Sequence, residues 1–314
     1  MSKLFLALLA LAFASVTLAQ EADTSASTYL GVTGPYLGQE PPGLEPRLFA
    51  SDLMQTDGVE HCFPAFSADG REVYWMRADM SGERPRGEIW FMRDTDSGWA
   101  KPALAPFSGE HSDHAPVFSH DGQRLYFASS RPGGVGPGKN LWFVERTAGV
   151  WGEATHLGSP PNTDIGATQQ TFTTDGTVYF SGILEGVQWN IGVYRSRLVE
   201  GEYQAPELLP DFINTEYADA YPFIAPDESY LLFGSSRPGG RSVETDLYVS
   251  FRRPDDTWTG PIHLGEEINN GLTVSFSFVT YDGKYLFFDR FDEETDRFYW
   301  VDARILDKYR PEDL

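Results

Sequence analysis

Histidines, carboxylates and arginines stand at matching places along this chain of 314 residues, and those places set the chemistry open to it. The pairs Glu60-His61, Asp113-His114, Ala167-Thr168, Asp219-Ala220 and Val274-Ser275 recur 53, 54, 52 and 55 residues apart. If the repeats converge, His61, His114 and Asp113 form a donor set for a divalent metal. The same carboxylates could instead act as acid and base on a sugar. Arg131 and Arg237 lie in a hexapeptide, Ser-Ser-Arg-Pro-Gly-Gly, that occurs at both 129–134 and 235–240. Two such arginines could clamp a carboxylate through paired N–H donors, or pair with an acidic residue of the next repeat. The second use is the expected one. Trp189 sits in a long segment, 182–190, that departs from the repeat, and Gln169 lies beside Thr168. Departures from a repeat are where recognition is usually found. Against these readings stands a structural one, in which each Asp or His caps backbone or bridges neighbours through water. No HExxH, P-loop, GxSxG, EF-hand loop or zinc-spaced Cys/His set is present.

The elements that must position these residues are short strands. Five apolar runs end in turns with Asp69-Gly70, Asp121-Gly122, Asp175-Gly176, Asp227-Glu228 and Asp282-Gly283, the aspartates 52, 54, 52 and 55 residues apart. Asp-Gly marks a hairpin because glycine accepts positive φ without a Cβ clash. Aromatic second strands follow (Val73-Tyr74-Trp75, Leu125-Tyr126-Phe127, Val178-Tyr179-Phe180, Leu231-Leu232-Phe233 and Leu286-Phe287-Phe288), and then third strands such as Leu141-Trp142-Phe143. Trp99, Trp151, Tyr203 and Trp258 introduce a fourth, outer strand in four repeats. The fifth repeat lacks it, and Glu45-Pro46-Arg47-Leu48-Phe49 matches the outer-strand sequence Ala205-Pro206-Glu207-Leu208-Leu209.

The expected fold is therefore all-β: a five-bladed β-propeller of four-stranded antiparallel blades. An N-terminal outer strand completes the last blade and closes the ring, removing free sheet edges. The propeller is expected over residues 45–306, after a signal peptide at 1–19 and a partly disordered extension at 20–44, with a tail at 307–314. Disorder is expected over 21–36, whose first half is small and polar.

The pattern Pro-x-Phe-Ser-x-Asp-Gly-x-x-x-Tyr-Phe-x-Ser, best seen from Pro116 to Ser129, resembles the PD40 (TolB-like, WD40-like) propeller repeat. The resemblance runs from about Pro46 to Ile305. It implies a propeller but not one activity, since such propellers serve as scaffolds, sensors and enzymes. TolB's additional N-terminal domain and longer propeller have no counterpart here, so a Tol-system role is not carried over.

The N-terminus reads as an export signal. Lys3 precedes an apolar run at 4–13 and the small-residue sequence Val16-Thr17-Leu18-Ala19, giving cleavage near Ala19 and a periplasmic or secreted product. No stretch is long enough to span a membrane. The formal charge of -22 excludes nucleic acid and anionic lipid as natural partners. Cys62 is the sole cysteine and reads as a small buried apolar residue rather than a nucleophile. The functional expectation is a monomeric binding or scaffold module, leaning away from enzyme, that recognises a protein, peptide or envelope glycan through one end of its channel. It needs no cofactor, unless His61, His114 and Asp113 hold a metal. The alternative is a carbohydrate-active enzyme, a glycoside hydrolase or metal-dependent lyase, using the channel-mouth His and carboxylates.

Overall fold

The computed structural model describes residues 29–54, 59–81, 85–242, 244–291 and 296–314, so the signal-peptide reading lies outside the described residues. Five antiparallel sheets form the ring. The inner strands are Val59–Phe66, Asp113–Phe118, Thr168–Phe172, Asp219–Ile224 and Ser277–Val279. We number the blades I to V in that order. The outer strands of the first four are two residues long, for example Ala103–Leu104 and Ile262–His263. The fifth outer strand is Arg47–Leu48, which pairs Arg47 with Trp300 and Leu48 with Tyr299. The N-terminal closure expected from the sequence is present.

The turns explain why these residues make hairpins. In blade II, Asp121 Oδ1 accepts from Ser119 Oγ at 2.6 Å and from the Gln123 amide at 3.0 Å, while Gly122 takes φ of +68°. Blade IV has Glu228 at the glycine position with φ of 57°. That left-handed conformation is unfavourable for a residue with a Cβ. Its carboxylate compensates by accepting from Tyr179 Oη at 2.8 Å, across the blade III/IV seam, and by pairing with Arg252.

Between blades the core is aromatic. Trp75, Phe127, Phe180, Phe233 and Phe287, one per blade, are fully buried. At the closing seam Phe49 packs edge-on against Phe66, Phe287 and Trp300, with centroids 5.6, 5.0 and 5.0 Å away. Trp151 of blade II donates to Tyr74 Oη of blade I at 2.7 Å.

One expectation needs correction. Disorder through residue 36 does not hold for its last part. Leu30 N donates to Trp99 O at 2.9 Å, Trp99 N to Val32 O at 2.9 Å and Trp99 Nε1 to Gly34 O at 2.7 Å. Tyr36 then sits among Phe66, Tyr285, Phe287 and Trp300. The apolar residues that follow the polar start give this segment enough surface to bury. At the end of the expected propeller span, Ala303–Tyr309 forms a 3-10 helix that buries Ile305 and Leu306 in the core.

Candidate functional site

The top face carries the connectors between blades and the turns between second and third strands; the bottom face carries the Asp-Gly turns. Side chains bridge the blades at the bottom end of the channel. Tyr281, from the blade V turn, donates its hydroxyl across the axis to the Phe118 carbonyl of blade II. The His120 ring lies edge-on to Tyr281 at 4.9 Å, and His120 Nε2 is 3.1 Å from Phe172 O of blade III. Burial drives the Tyr281 phenol well above its usual range, so it remains a donor at any physiological pH.

On the top face, most of the expected site residues are engaged with the protein itself. Asp113 is fully buried, its Oδ1 3.0 Å from Arg131 and its Oδ2 accepting from Ser108 Oγ at 2.7 Å. Arg131 also donates to Ser129 Oγ at 2.9 Å and to Phe107 O at 3.1 Å, with its guanidinium 4.8 Å from the Phe127 ring centroid. Blade IV repeats this arrangement. Asp219 accepts from Thr215 N at 2.7 Å, Thr215 Oγ1 at 2.6 Å, Ser235 Oγ at 2.5 Å and Arg237 at 2.7 Å. Arg237 grips Phe212 O and Ile213 O at 3.1 and 2.9 Å. Arg290 of blade V holds the equivalent connector through Glu267 O and Ile268 O, at 2.6 and 3.1 Å. The expectation that Arg131 and Arg237 pair with an acid of the next blade is corrected: each pairs within its own blade. The reason is register, because Asp113 opposes Ser129 and Asp219 opposes Ser235, which brings each arginine, two residues further on, back over its own inner strand. These arginines are struts that pin each incoming connector.

A second set of struts escaped the sequence reading. Asn162, Asn214 and Asn269 each accept from and donate to one third-strand residue: Leu141 at 2.7 and 3.1 Å, Val193 at 2.7 and 3.0 Å, and Leu247 at 2.8 and 2.9 Å. Each side chain imitates a strand neighbour. The signal is present as Asn162-Thr163-Asp164 and Asn214-Thr215-Glu216, where a connector asparagine reads equally as a ligand group or as a backbone partner.

His114 Nε2 lies 3.0 Å from Ser112 Oγ, and its ring fills the space beside Gly87 of blade I, where a Cβ would approach within 2.6 Å. The side chain of His61 lies outside the described residues. Among the described residues no three His, Cys, Asp or Glu side chains are grouped to hold a metal. Cys62 is buried, 4.0 Å from Met76 Sδ, and desolvation raises its thiol well above the usual value, reinforced by Asp289 and Asp296. Ellman's reagent at pH 8 is therefore expected to leave native protein essentially unlabelled and to titrate one thiol per chain in denaturant. Rapid labelling of native protein would contradict the buried placement.

Other top-face groups remain available. Trp189 is 50% exposed and takes φ of 60°, followed by Asn190 at 49°. Non-glycine residues in this conformation are strained, and such strain clusters at functional positions. A pocket of about 260 Å³ lies beneath Trp189, lined by Lys139 from blade II and by Ile165, Thr168, Ser181, Ile183 and Ile191 from blade III and its connector. Thr168 Oγ1, Gln169 Oε1 and, deeper in the channel, Gln170 Oε1 and Ser277 Oγ are buried without a protein partner. Of the expected ligand-binding residues, Trp189 lines this pocket. Lys139, which the sequence reading passed over, joins it.

No family model and no curated protein matches the chain. Among solved structures it is similar to the endo-arabinase from Bacteroides thetaiotaomicron, with 15% identity, 84% of this chain and 97% of that chain covered, and a TM-score of 0.52. It is also similar to a glycosyl hydrolase from Bacteroides ovatus (9% identity, 84% and 95% covered, TM-score 0.49). A third is an oligogalacturonate lyase from Vibrio parahaemolyticus (11% identity, 86% and 73% covered, TM-score 0.42). At these identities the likeness is one of fold.

Proposed function

We propose that this chain is an exported PD40-like propeller that binds a small ligand, a glycan unit in preference to a peptide, in its top-face pocket. The observation that carries this reading is the top-face pocket at the half-exposed Trp189. An aromatic platform over an apolar pocket with a few unpaired polar groups is the usual make-up of a small-molecule site. Hydrolysis draws no support from the top-face carboxylates. Asp113 and Asp219 are each buried, ion-paired to arginine and hydrogen-bonded, so their oxygens are already engaged by the protein's own groups.

The test is a panel of soluble oligosaccharides and short peptides titrated against wild type and Trp189→Ala, read by calorimetry. At least tenfold weaker binding by the variant, with an unchanged melting temperature, supports the reading. Equal binding by both proteins overturns the top-face assignment. Turnover of any oligosaccharide would replace the binding role with an enzymatic one.

A further inference from the structure

Resting on the top-face reading, we propose that the pocket selects an acidic sugar, with Lys139 Nζ holding the sugar's carboxylate while the Trp189 ring covers the apolar face of the pyranose. Lys139 is the last residue before the blade II third strand, Asn140–Thr147, and its backbone is fixed by a 2.8 Å hydrogen bond from Ala167 N to its carbonyl. Its ammonium makes no hydrogen bond or ion pair among the described residues, in a chain with 46 acidic and 24 basic residues. An unpaired cation in so acidic a protein is unusual, because an accessible carboxylate would ordinarily neutralise it. The side chain is also partly desolvated, which pulls the amine below its ordinary value. A carboxylate arriving there would meet a charge only weakly screened by water. Arg131 and Arg237, the arginines that could have clamped a carboxylate, are already paired.

The rest of the pocket distinguishes a sugar acid from a peptide terminus. Peptide recognition draws on free backbone donors and acceptors, typically at an open strand edge. Here the surrounding edges are closed: Ser181 opposes both Thr168 and Val193, Ile183 opposes Ile191, and Ile183 N and Gly166 N donate to Ile165 O and Thr163 O at 2.8 and 3.1 Å. What remains is side-chain chemistry. Ile165, Ile183 and Ile191 suit the C–H face of a sugar. A cavity of about 260 Å³ has room for one hexose-sized ring.

The probes are glucuronic acid, its methyl ester and glucose, measured by calorimetry on the mature protein at low and moderate salt. The acid is expected to bind at least tenfold more tightly than the ester, with the difference shrinking as salt rises. Lys139→Met should erase the preference for the acid without moving the melting temperature, and Lys139→Arg should keep part of it. Equal binding of acid and ester by wild type would overturn the carboxylate role of Lys139 and leave the top-face pocket standing. Binding of none of the three would overturn the acidic-sugar assignment. The Trp189→Ala panel then shows separately whether the top-face reading fails with it.

Discussion

Asp219→Ala is expected to destabilise the protein by about 3–5 kcal/mol, the loss found when one member of a buried ion pair is removed. Asp219 is 1% exposed, and its two oxygens accept from the Thr215 amide and hydroxyl, the Ser235 hydroxyl and the Arg237 guanidinium. Alanine leaves all of these donors without their acceptor. Arg237 keeps its bonds to Phe212 O and Ile213 O and its position over Phe233, so its charge is not wholly stranded, and the lower half of the range is the better expectation. Denaturant unfolding with an unchanged m-value is the measurement. Asp219→Ala/Arg237→Met should lose less than the sum of the two single variants, since both charges are then gone. A loss under about 1 kcal/mol for Asp219→Ala would mean that the pair is as weak as an exposed one and would reopen the carboxylate as a ligand-binding group.

Phe49→Ala should be nearly as damaging, at about 3–5 kcal/mol for a buried phenylalanine. Phe49 is 1% exposed at the seam where the N-terminal strand completes blade V, and its amide donates to Phe298 O at 2.8 Å. Its neighbour Leu48 is 38% exposed on the opposite side of the same strand, and Leu48→Ala should change stability by no more than about 0.5 kcal/mol. The contrast tests ring closure rather than apolar content, because the two residues are adjacent and both large. Loss of Phe49 also loosens a seam built from chain ends, so limited proteolysis of the variant should begin near residue 45. Equal, small effects at both positions would show that the ring does not depend on this closure.

The repeat made the architecture legible. Asp-Gly turns at near-constant spacing, aromatic second strands and the outer-strand sequence displaced to the N-terminus each have a local physical cause, and together they admit one ring. The site was legible only in outline. Trp189 stood out as a departure from the repeat, and it is half-exposed at a top-face pocket. Asp113, Asp219, Arg131 and Arg237 stood out by residue type, but whether an aspartate meets a ligand or an arginine depends on strand register across a hairpin. Lys139 drew no notice because nothing in its flanking residues shows that no acid reaches it. By itself the sequence determined the number of blades, the closing strand and the face on which the connectors gather, because those follow from periodicity and turn chemistry. Only the tertiary structure decided which charged groups neutralise one another and which are left over. That outcome depends on distances between residues remote in the chain, and a spacing pattern does not contain those distances.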